Sequence, residues 1–331
     1  MNTLIRAFLG AVLLAACGGL QPVSGVSGEN AAHTVKNPSV CPCLYVANEG
    51  SSKFPGSVTV YPLGSNGNVT PVEDISGSNT NIYSPEGVAV DPSGNIYVVN
   101  YTNEINVFAA GASGNAVPVQ TIKGSRTKMS ACEGIALNPV NGDIYIVNYD
   151  GSSVTFYAGG SNGNVAPLGE IAGDKANFGL PTGVTLDPSG TIYVSGLQTG
   201  IDIFSAGSDG NVAPKTIIEG SRTKIYNPWQ LALDSSLNLY VANNVGAGRI
   251  TMFTPGSKGN QSPYEWIHGH LTKLDDPIGI AIDAAGNMYV SNSVANTITV
   301  YRPGADGDPR PIETIKGSNT GLLTPVGLAI R

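Results

Sequence analysis

The sequence PEGVAVDPSGNIYVVN, from Pro85 to Asn100, decides the fold because its first half recurs along the chain. Each copy has proline or cysteine first and, in five of six cases, glycine third, followed by a short apolar run. The copies begin about 48 residues apart, at Pro85, Cys132, Pro181, Pro228, Pro277 and Pro325. A fixed period of this length is typical of a repeat protein, so the repeat governs how every other motif is interpreted.

Each repeat predicts four short strands. The recurring segment is the first strand, and an Asp-x-x-Gly type turn joins it to a second apolar strand that carries a tyrosine. A third strand alternates polar and apolar residues, which predicts a half-buried strand, and a weaker fourth strand follows a glycine-rich turn. The second-strand tyrosines are Tyr45, Tyr97, Tyr145, Tyr193, Tyr240 and Tyr289. The third strands end at Tyr61, Phe108, Tyr157, Phe204, Phe253 and Tyr301.

Four strands per repeat indicate a blade of a β-propeller. The last repeat stops after its first strand at Arg331, whereas the first repeat begins with its second strand at Leu44. Pairing these two ends completes a sixth blade and removes two exposed sheet edges. We therefore predict that residues 41–331 form an all-β, six-bladed propeller with four antiparallel strands per blade and one-plus-three strand closure.

These repeats resemble the NHL family, in which a strand like Gly87-Val-Ala-Val-Asp91 precedes a strand like Ile96-Tyr-Val-Val-Asn100. The second strand ends in asparagine in five blades and in Gly196 in the sixth, where that family has aspartate. The resemblance covers roughly residues 41–331 and implies the propeller architecture. Because NHL-like propellers include enzymes, scaffolds and RNA binders, it does not imply one function.

The N-terminus predicts export and lipid anchoring. Residues 1–16 combine a basic start with a ten-residue apolar run, too short for a transmembrane helix, and so predict a signal peptide. Leu14-Ala-Ala-Cys17 resembles a bacterial lipobox, which implies that Cys17 is lipidated. Residues 17–40, rich in Gly, Ser, Pro and Asn, predict a flexible tether. We expect a protein anchored to a bacterial membrane, the outer membrane in a diderm host, that faces the periplasm or exterior.

The net charge of the chain and the charges of its loops limit the kinds of molecule that it is expected to bind. The formal net charge is −7, so a nucleic-acid partner, which requires a basic surface, is not expected. Two loops carry the sequence Gly-Ser-Arg-Thr-Lys, at Gly124–Lys128 and Gly220–Lys224. Acidic residues in the same set of loops balance these charges, so the sequence predicts no basic rim for anionic polymers. We expect a monomer that binds an envelope protein, a peptide or a glycan.

A ligand site is predicted where the blades differ. We call the face where first strands begin the top, and the opposite face the bottom. The residue after the proline faces the channel mouth and forms the mouth ring, which comprises Glu86, Glu133, Thr182, Trp229, Ile278 and Val326. This ring has two carboxylates on one side and an apolar wall on the other, as small-ligand sites often do. The predicted ligand-binding residues are Glu86, Glu133, Trp229, Tyr83, Tyr101, Tyr149 and Tyr226.

Catalysis receives less support from the sequence. It contains no His-Glu-x-x-His helix or phosphate loop. Some six-bladed relatives, the gluconolactonase-like proteins, hold a divalent metal at the mouth, and Glu86 and Glu133 with Asn100 and Asn148 could supply oxygen ligands for Ca²⁺ or Mg²⁺. We predict a non-catalytic binding or protein-interaction module without a cofactor. A metal-dependent lactonase or related hydrolase is the alternative, and a structural role in an envelope complex stays open.

The remaining cysteines are not expected to be catalytic. Cys132 opens a first strand at the top, whereas Cys41 and Cys43 precede a second strand at the bottom. A five-residue strand separates the faces by about 16 Å, too far for a disulfide, so we predict that Cys132 pairs with neither. A strained Cys41–Cys43 bond is left open. The repeated aspartates Asp91, Asp187, Asp234 and Asp283 are predicted to form turns.

Overall fold

The computed structural model describes residues 42–331, apart from residues 54 and 247. The predicted signal peptide (1–16), the lipidated Cys17, the tether (17–40) and Cys41 lie outside the described residues. Every regular element in the described part is a β-strand. No helix in that part has the length and apolar character needed to cross a bilayer. The all-β class predicted from the repeats is therefore confirmed.

Twenty-four strands form six four-stranded blades in the described chain. Blade one contains β1 (Cys43–Asn48), β2 (Ser57–Pro62) and β3 (Glu73–Ile75), and blade two contains β4 (Pro85–Val90), β5 (Ile96–Asn100), β6 (Glu104–Phe108) and β7 (Gln120–Lys123). Blade three contains β8 (Cys132–Leu137), β9 (Ile144–Asn148), β10 (Ser153–Tyr157) and β11 (Gly169–Ile171), and blade four contains β12 (Pro181–Leu186), β13 (Ile192–Gly196), β14 (Gly200–Phe204) and β15 (Thr216–Ile218). Blade five contains β16 (Pro228–Leu233), β17 (Leu239–Asn243), β18 (Arg249–Phe253) and β19 (Glu265–His268), and blade six contains β20 (Pro277–Ile282), β21 (Met288–Asn292), β22 (Thr297–Tyr301) and β23 (Glu313–Ile315). The last strand, β24 (Pro325–Ile330), belongs to blade one.

The ring closes as the sequence predicted. β24 pairs with β1 in antiparallel register, Leu44 opposite Ile330, so blade one has the order β24-β1-β2-β3. Beyond the strand ends, the Cys43 N–H donates to the Arg331 carbonyl oxygen at 2.7 Å. All neighbouring strands within the blades are antiparallel, and the first strands of successive blades pack side by side around the centre. The six-bladed propeller with one-plus-three closure is confirmed.

Third strands are buried more deeply than their alternating pattern predicted. Their central polar residues, Thr59, Asn106, Thr155, Asp202, Thr251 and Thr299, are all fully buried. Neighbouring blades cover both faces of a blade, so neither face of a third strand meets water. The polar side chains are paired inside instead: Asn148 Nδ2, for example, donates to Thr155 Oγ1 at 3.1 Å. The prediction of half-buried third strands was wrong. The alternating polar residues of these strands form hydrogen bonds inside the protein and do not face solvent.

The glycine-rich segment between strands three and four reaches back to the preceding blade. Gly114 of blade two bridges Ile75 of blade one in parallel and donates its N–H to the carbonyl oxygen of Asp74 at 2.6 Å. Asn115 Oδ1 accepts the N–H of Asn79 at 2.7 Å. The same bridge recurs at every joint of the ring, at Gly67, Gly114, Gly163, Gly210, Gly259 and Gly307. These segments, predicted as bottom turns, thus also cover the outer strand of the neighbouring blade.

The repeated aspartates form turns, as predicted. Asp91 Oδ1 accepts the N–H groups of Ser93 at 2.8 Å and Asn95 at 2.9 Å. Asp91 Oδ2 accepts the side-chain amide of Asn95 at 2.7 Å. The same pattern of Asp-to-backbone bonds recurs at Asp187, Asp234 and Asp283. These carboxylates are occupied by their own turns.

Candidate functional site

The mouth ring lies on a bulge that recurs in every blade. In blade two, Pro85 pairs with Asn100 and Gly87 with Val99, so Glu86 between them has no partner on the second strand. Similar register shifts occur at the equivalent position of the other five blades. Because a β-bulge turns a side chain out of the ladder, this irregularity allows the ring residues to point away from their own sheets. The repeat pattern predicts the ring but not the bulge that orients it.

Glycine follows five of the six ring residues because the first strands nearly touch. A Cβ at Gly279, for example, would overlap the carbonyl oxygen of Val326 in the neighbouring blade. Blade five carries Gln230 at this position, and its Nε2 donates to the carbonyl oxygen of Glu86 at 3.2 Å, in the blade diametrically opposite. A central cavity of about 130 Å³, which the first strands of all six blades line, includes Gln230 in its wall. The glutamine therefore bridges the channel beside the mouth.

The acidic side of the ring holds two carboxyl groups whose pKa values are raised strongly. Burial, reinforced by Glu133 and Glu49, raises the pKa of Glu86 to about 9. Burial, with Glu49 and Asp150, raises the pKa of Glu133 to about 8. Glu133 is 7% exposed, and none of the described residues donates a hydrogen bond to its carboxyl group. Near neutral pH these groups are therefore predominantly protonated and able to donate hydrogen bonds.

The structure brings some of the predicted aromatic residues to this acidic side. The pKa of Tyr101 is raised by desolvation and then by Asp150, Glu133, Tyr149 and Glu86, so these groups share one neighbourhood. Glu49 joins them from the loop after β1, a position that the mouth-ring pattern did not single out. Its signal in the sequence was weak because that loop has no counterpart to Glu49 in the other repeats.

The opposite side is built from different residues. Trp229 and Ile278 are half-buried, whereas Thr182 is buried and its Oγ1 donates to the carbonyl oxygen of Pro228 at 2.7 Å. Tyr83 and Tyr226 are exposed, at 52% and 45%.

Tyr226 does not join the acidic group. Its ring centre lies 5.1 Å from the Arg249 guanidinium carbon, and Arg249 begins the third strand of blade five. The predicted ligand-binding residues therefore do not form one group, because Tyr226 packs on the outer part of blade five.

The two asparagines proposed as metal ligands hold the top loops. Asn100 Oδ1 accepts the N–H of Tyr83 at 3.0 Å, and Asn148 Oδ1 accepts the N–H of Ser130 at 3.1 Å. Both asparagines are fully buried. Asn48, Asn243 and Asn292 make the equivalent bond in their blades. Within the described residues no group of three or more His, Cys, Asp or Glu is arranged to hold a metal. One acceptor position of each amide oxygen is therefore already in use, and the oxygen cage stays a prediction.

Blade four lacks this asparagine anchor and carries an acid at the centre of its third strand. Gly196 lacks the side chain, and fully buried Asp202 of β14 accepts a hydrogen bond from Asn177 Nδ2 at 2.9 Å. Burial raises the pKa of Asp202 to about 7. Hydrogen bonding from Asn177 and Thr199 opposes this rise but does not cancel it. The repeat pattern marks Gly196 as an exception but does not single out Asp202, which stands opposite Val194 in the third strand.

The cysteines take no part in this chemistry. Cys132 is a buried thiol at the top end of β8, with Sγ 3.7 Å from Asn148 Oδ1. Burial raises its pKa to about 12, so the thiol is protonated and a poor nucleophile. Cys43 begins β1 at the bottom, on the opposite face. The Cys41–Cys43 bond involves a residue outside the described part and stays a prediction.

Comparison with known proteins agrees with this geometry. A family model named SBBP, beta-propeller repeat, matches residues 75–109, which span β4 to β6. The chain is a six-bladed β-propeller. A chain in a solved structure, "Crystal structure of Nidogen/Laminin Complex", is similar, with a TM-score of 0.60 and 15% identity over 87% of this chain and 98% of that chain. No curated protein sequence matches. Likeness at this identity shows the propeller fold and nothing about the ligand.

Proposed function

We propose that this protein is a membrane-anchored, extracytoplasmic lipoprotein whose propeller acts as a non-catalytic binding or protein-interaction module through its top face. The observation that carries the proposal is the asymmetry of the mouth ring. Two carboxyl groups with strongly raised pKa values, Glu86 and Glu133, lie on one side of the ring, and half-buried Trp229 and Ile278 lie on the opposite side. A concave site with an apolar wall and a few converging polar groups is the common form of a ligand site.

The chemistry of the mouth favours a ligand with uncharged hydrogen-bonding groups. A protonated carboxyl group donates and accepts, so Glu133 suits hydroxyl or amide groups better than a bare anion. Exposed Tyr83 and Tyr101 add contact area at little cost in side-chain entropy. A glycan, a peptide or an envelope protein has these properties. The similar propeller was solved in a nidogen/laminin complex, which accords with an interaction role for such a fold.

The anchor supports the use of the top face. Cys43 and Arg331 both lie at the bottom ends of their strands and bond to each other there. A tether that leaves from Cys43 would start at the bottom, so lipid at Cys17 would leave the mouth turned away from the membrane. A Cys17→Ala variant should lose labelling by a radioactive fatty acid and move from the membrane to the soluble fraction. Unchanged membrane association of that variant would contradict the anchor.

Binding can be tested without knowledge of the ligand. The purified full-length protein and a Glu86→Gln/Glu133→Gln variant should be compared on a glycan array and in pull-downs from envelope extracts. We expect ligands that the double variant and Trp229→Ala lose and that Lys258→Ala, an exposed change remote from the mouth, keeps. Ligands that all variants retain equally would contradict a site at the mouth.

A metal-dependent lactonase or related hydrolase is the second candidate. It is favoured by the raised pKa values of Glu86 and Glu133, because strongly perturbed carboxyl groups in a concave site are common in enzymes. Elemental analysis of the purified protein would decide the point. One stoichiometric Ca²⁺ or Mg²⁺, lost in the Glu86→Gln/Glu133→Gln variant, with hydrolysis of a lactone or ester panel, would favour the enzyme. A folded, metal-free protein without activity would favour the binding module.

A further inference from the structure

The outer top of blade five carries a cluster of basic and aromatic side chains that the mouth does not use. We call it the blade-five cluster, and it consists of Lys224, Tyr226, Arg249, Trp266 and His268. The Arg249 guanidinium carbon lies 5.1 Å from the Tyr226 ring centre and 5.6 Å from that of Trp266. The His268 and Trp266 rings stack with centres 3.7 Å apart, and Lys224 Nζ is 6.0 Å from the Trp266 ring. The rings therefore hold the guanidinium in place.

The positive charge of this cluster is not neutralised within the described chain. Neither Arg249 nor Lys224 has a carboxylate within ion-pair distance there. Arg249 Nε and His268 Nδ1 are buried, and neither has a hydrogen-bond partner among the described residues. Buried polar groups in folded proteins are nearly always paired, so Arg249 and His268 retain unused hydrogen-bonding capacity beside the uncompensated charge.

Two other blades show what the same positions look like when they are neutralised. Arg249 and His268 are direct cross-strand partners, and the equivalent pair in blade two is Glu104 and Lys123, an ion pair of 3.5 Å. Arg249 of blade five therefore occupies the strand position that Glu104 occupies in blade two.

The two Gly-Ser-Arg-Thr-Lys loops differ in the same way. Lys128 of the first loop pairs with Glu170 at 2.8 Å. Lys224 of the second loop meets Trp266, which occupies the strand position of Glu170. The two loops have the same sequence and were predicted to be equivalent. The charge of Lys128 is neutralised by a carboxylate of the next blade, whereas the charge of Lys224 is not.

A cavity of about 260 Å³ adjoins the cluster between blades four and five. Tyr226 lines this cavity and also contacts Arg249, so the two features share one side chain. Other parts of the wall are polar and include Gln198, Thr199, Ser221 and the exposed carboxylate of Glu219. Amide, hydroxyl and carboxylate groups of this kind bind the hydroxyl groups of a sugar ring.

We propose that the blade-five cluster and this cavity form a binding site for an anionic sugar, with its carboxylate or phosphate at Arg249 and Lys224 and its hydroxyl groups in the cavity. Arginine suits this role because its planar fork of donors matches carboxylate and phosphate oxygens. The site adds a second position to the binding module proposed above and does not depend on the ligand of the mouth.

Calorimetry on the purified full-length protein tests the proposal with trigalacturonate, its fully methyl-esterified form, glucose 6-phosphate, glucose and inorganic phosphate. We expect saturable binding of at least one acidic sugar, weaker at high salt, and none of its neutral partner. Trigalacturonate and glucose 6-phosphate distinguish carboxylate from phosphate as the acid group. Failure of both to bind, or equal binding of the neutral forms, would overturn the proposal. Inorganic phosphate binding as tightly as glucose 6-phosphate would overturn the sugar component.

Variants locate the site. Arg249→Gln and Lys224→Gln should each weaken binding about tenfold, because each removes a charge-assisted hydrogen bond. Lys128→Gln is the matched control in the paired loop and should leave the affinity unchanged. Lys224 is exposed, so Lys224→Gln remains informative if Arg249→Gln fails to fold. Equal loss in Lys128→Gln, or no loss in Lys224→Gln, would contradict the assignment.

Fluorescence provides a local signal, because the chain contains two tryptophans, Trp229 and Trp266. In a Trp229→Phe background, Trp266 alone should respond to the acidic sugar over the same concentration range as the calorimetric signal. Binding heat without any change in Trp266 emission would place the ligand elsewhere. A mouth that binds nothing in the earlier screen would leave this result untouched, so the two proposals fail separately.

Discussion

The side chain of Gln230 crosses the propeller and donates a hydrogen bond of 3.2 Å to the backbone carbonyl oxygen of Glu86 in the opposite blade. Five blades have glycine at the position of Gln230, so this contact breaks the sixfold pattern at the centre of the ring. It also couples the backbone of a mouth-ring residue to the far side of the channel. The position of Glu86 therefore depends on a residue that lies 144 positions away in the chain.

Replacing Gln230 by alanine should lower the free energy of unfolding by about 1 kcal/mol, the usual net value of one hydrogen bond. Urea denaturation of the purified protein measures the change. Gln198→Ala is the matched control, because Gln198 is exposed and should tolerate the same change. Equal unfolding midpoints for Gln230→Ala and the unmodified protein would show that the bridge adds no stability.

Stability should fall as the pH rises from about 5 to about 9, because three carboxyl groups have strongly raised pKa values in the folded protein. These values are about 9 for Glu86, about 8 for Glu133 and about 7 for Asp202, against 4.5, 4.5 and 3.8 as ordinary values. The folded state holds more protons than the unfolded state in this window, so its advantage is complete below about pH 4 and is lost as pH rises through each folded pKa.

Amide variants test which groups cause this slope. Glu133→Gln and Asp202→Asn should each flatten the dependence of the unfolding free energy on pH, because an amide does not titrate. Asp174→Asn, a change at an exposed carboxylate, serves as the control and should preserve the slope. A slope as steep in the Glu133→Gln/Asp202→Asn double variant as in the unmodified protein would contradict the assignment to these residues.

Asn148→Ala should destabilise the protein by about 1–3 kcal/mol, because it leaves buried polar groups without partners. The lost bonds are those to the N–H of Ser130 and to the hydroxyl groups of Ser153 and Thr155. Asn141→Ala, at an exposed bottom turn, should cost much less. Comparable losses at the two sites in thermal unfolding would argue against an anchoring role for the strand-two asparagines.

Gly124→Ala should be more destabilising than Gly64→Ala. Both glycines have positive φ, 124° and 85°, so both alanines incur backbone strain of about 1–3 kcal/mol. At Gly124, however, a Cβ would lie 2.6 Å from Asn164 Oδ1, which accepts the N–H of Arg126 at 2.8 Å. Gly64 has open space around it. Denaturant midpoints that fall equally for both variants would show that the contact between blades is not stabilising.

The propeller fold was predictable because the sequence pattern that specifies it repeats along the chain. The pattern recurs six times, and the last copy supplies the first strand that the first repeat lacks. Pairing β24 with β1 therefore closes the ring. The mouth ring was predictable for the same reason, since equivalent positions in a repeat occupy equivalent places. Tyr226 was predicted from its top-loop position as a ligand-binding residue, and its cation–π contact with Arg249 was not apparent from the repeat pattern.

The sequence alone determined the repeat, the number of blades, the closure and the turn role of residues such as Asp91, because these depend on local pattern and spacing. Tertiary structure decided which polar groups are paired. Asn100 and Asn148 accept hydrogen bonds from the top loops. Lys128 forms an ion pair with Glu170, whereas Lys224 and Arg249 contact aromatic rings. The physical reason is that the free energy of a charged or hydrogen-bonding group depends on the groups opposite it. In a propeller those groups come from the next strand or the next blade, tens of residues away.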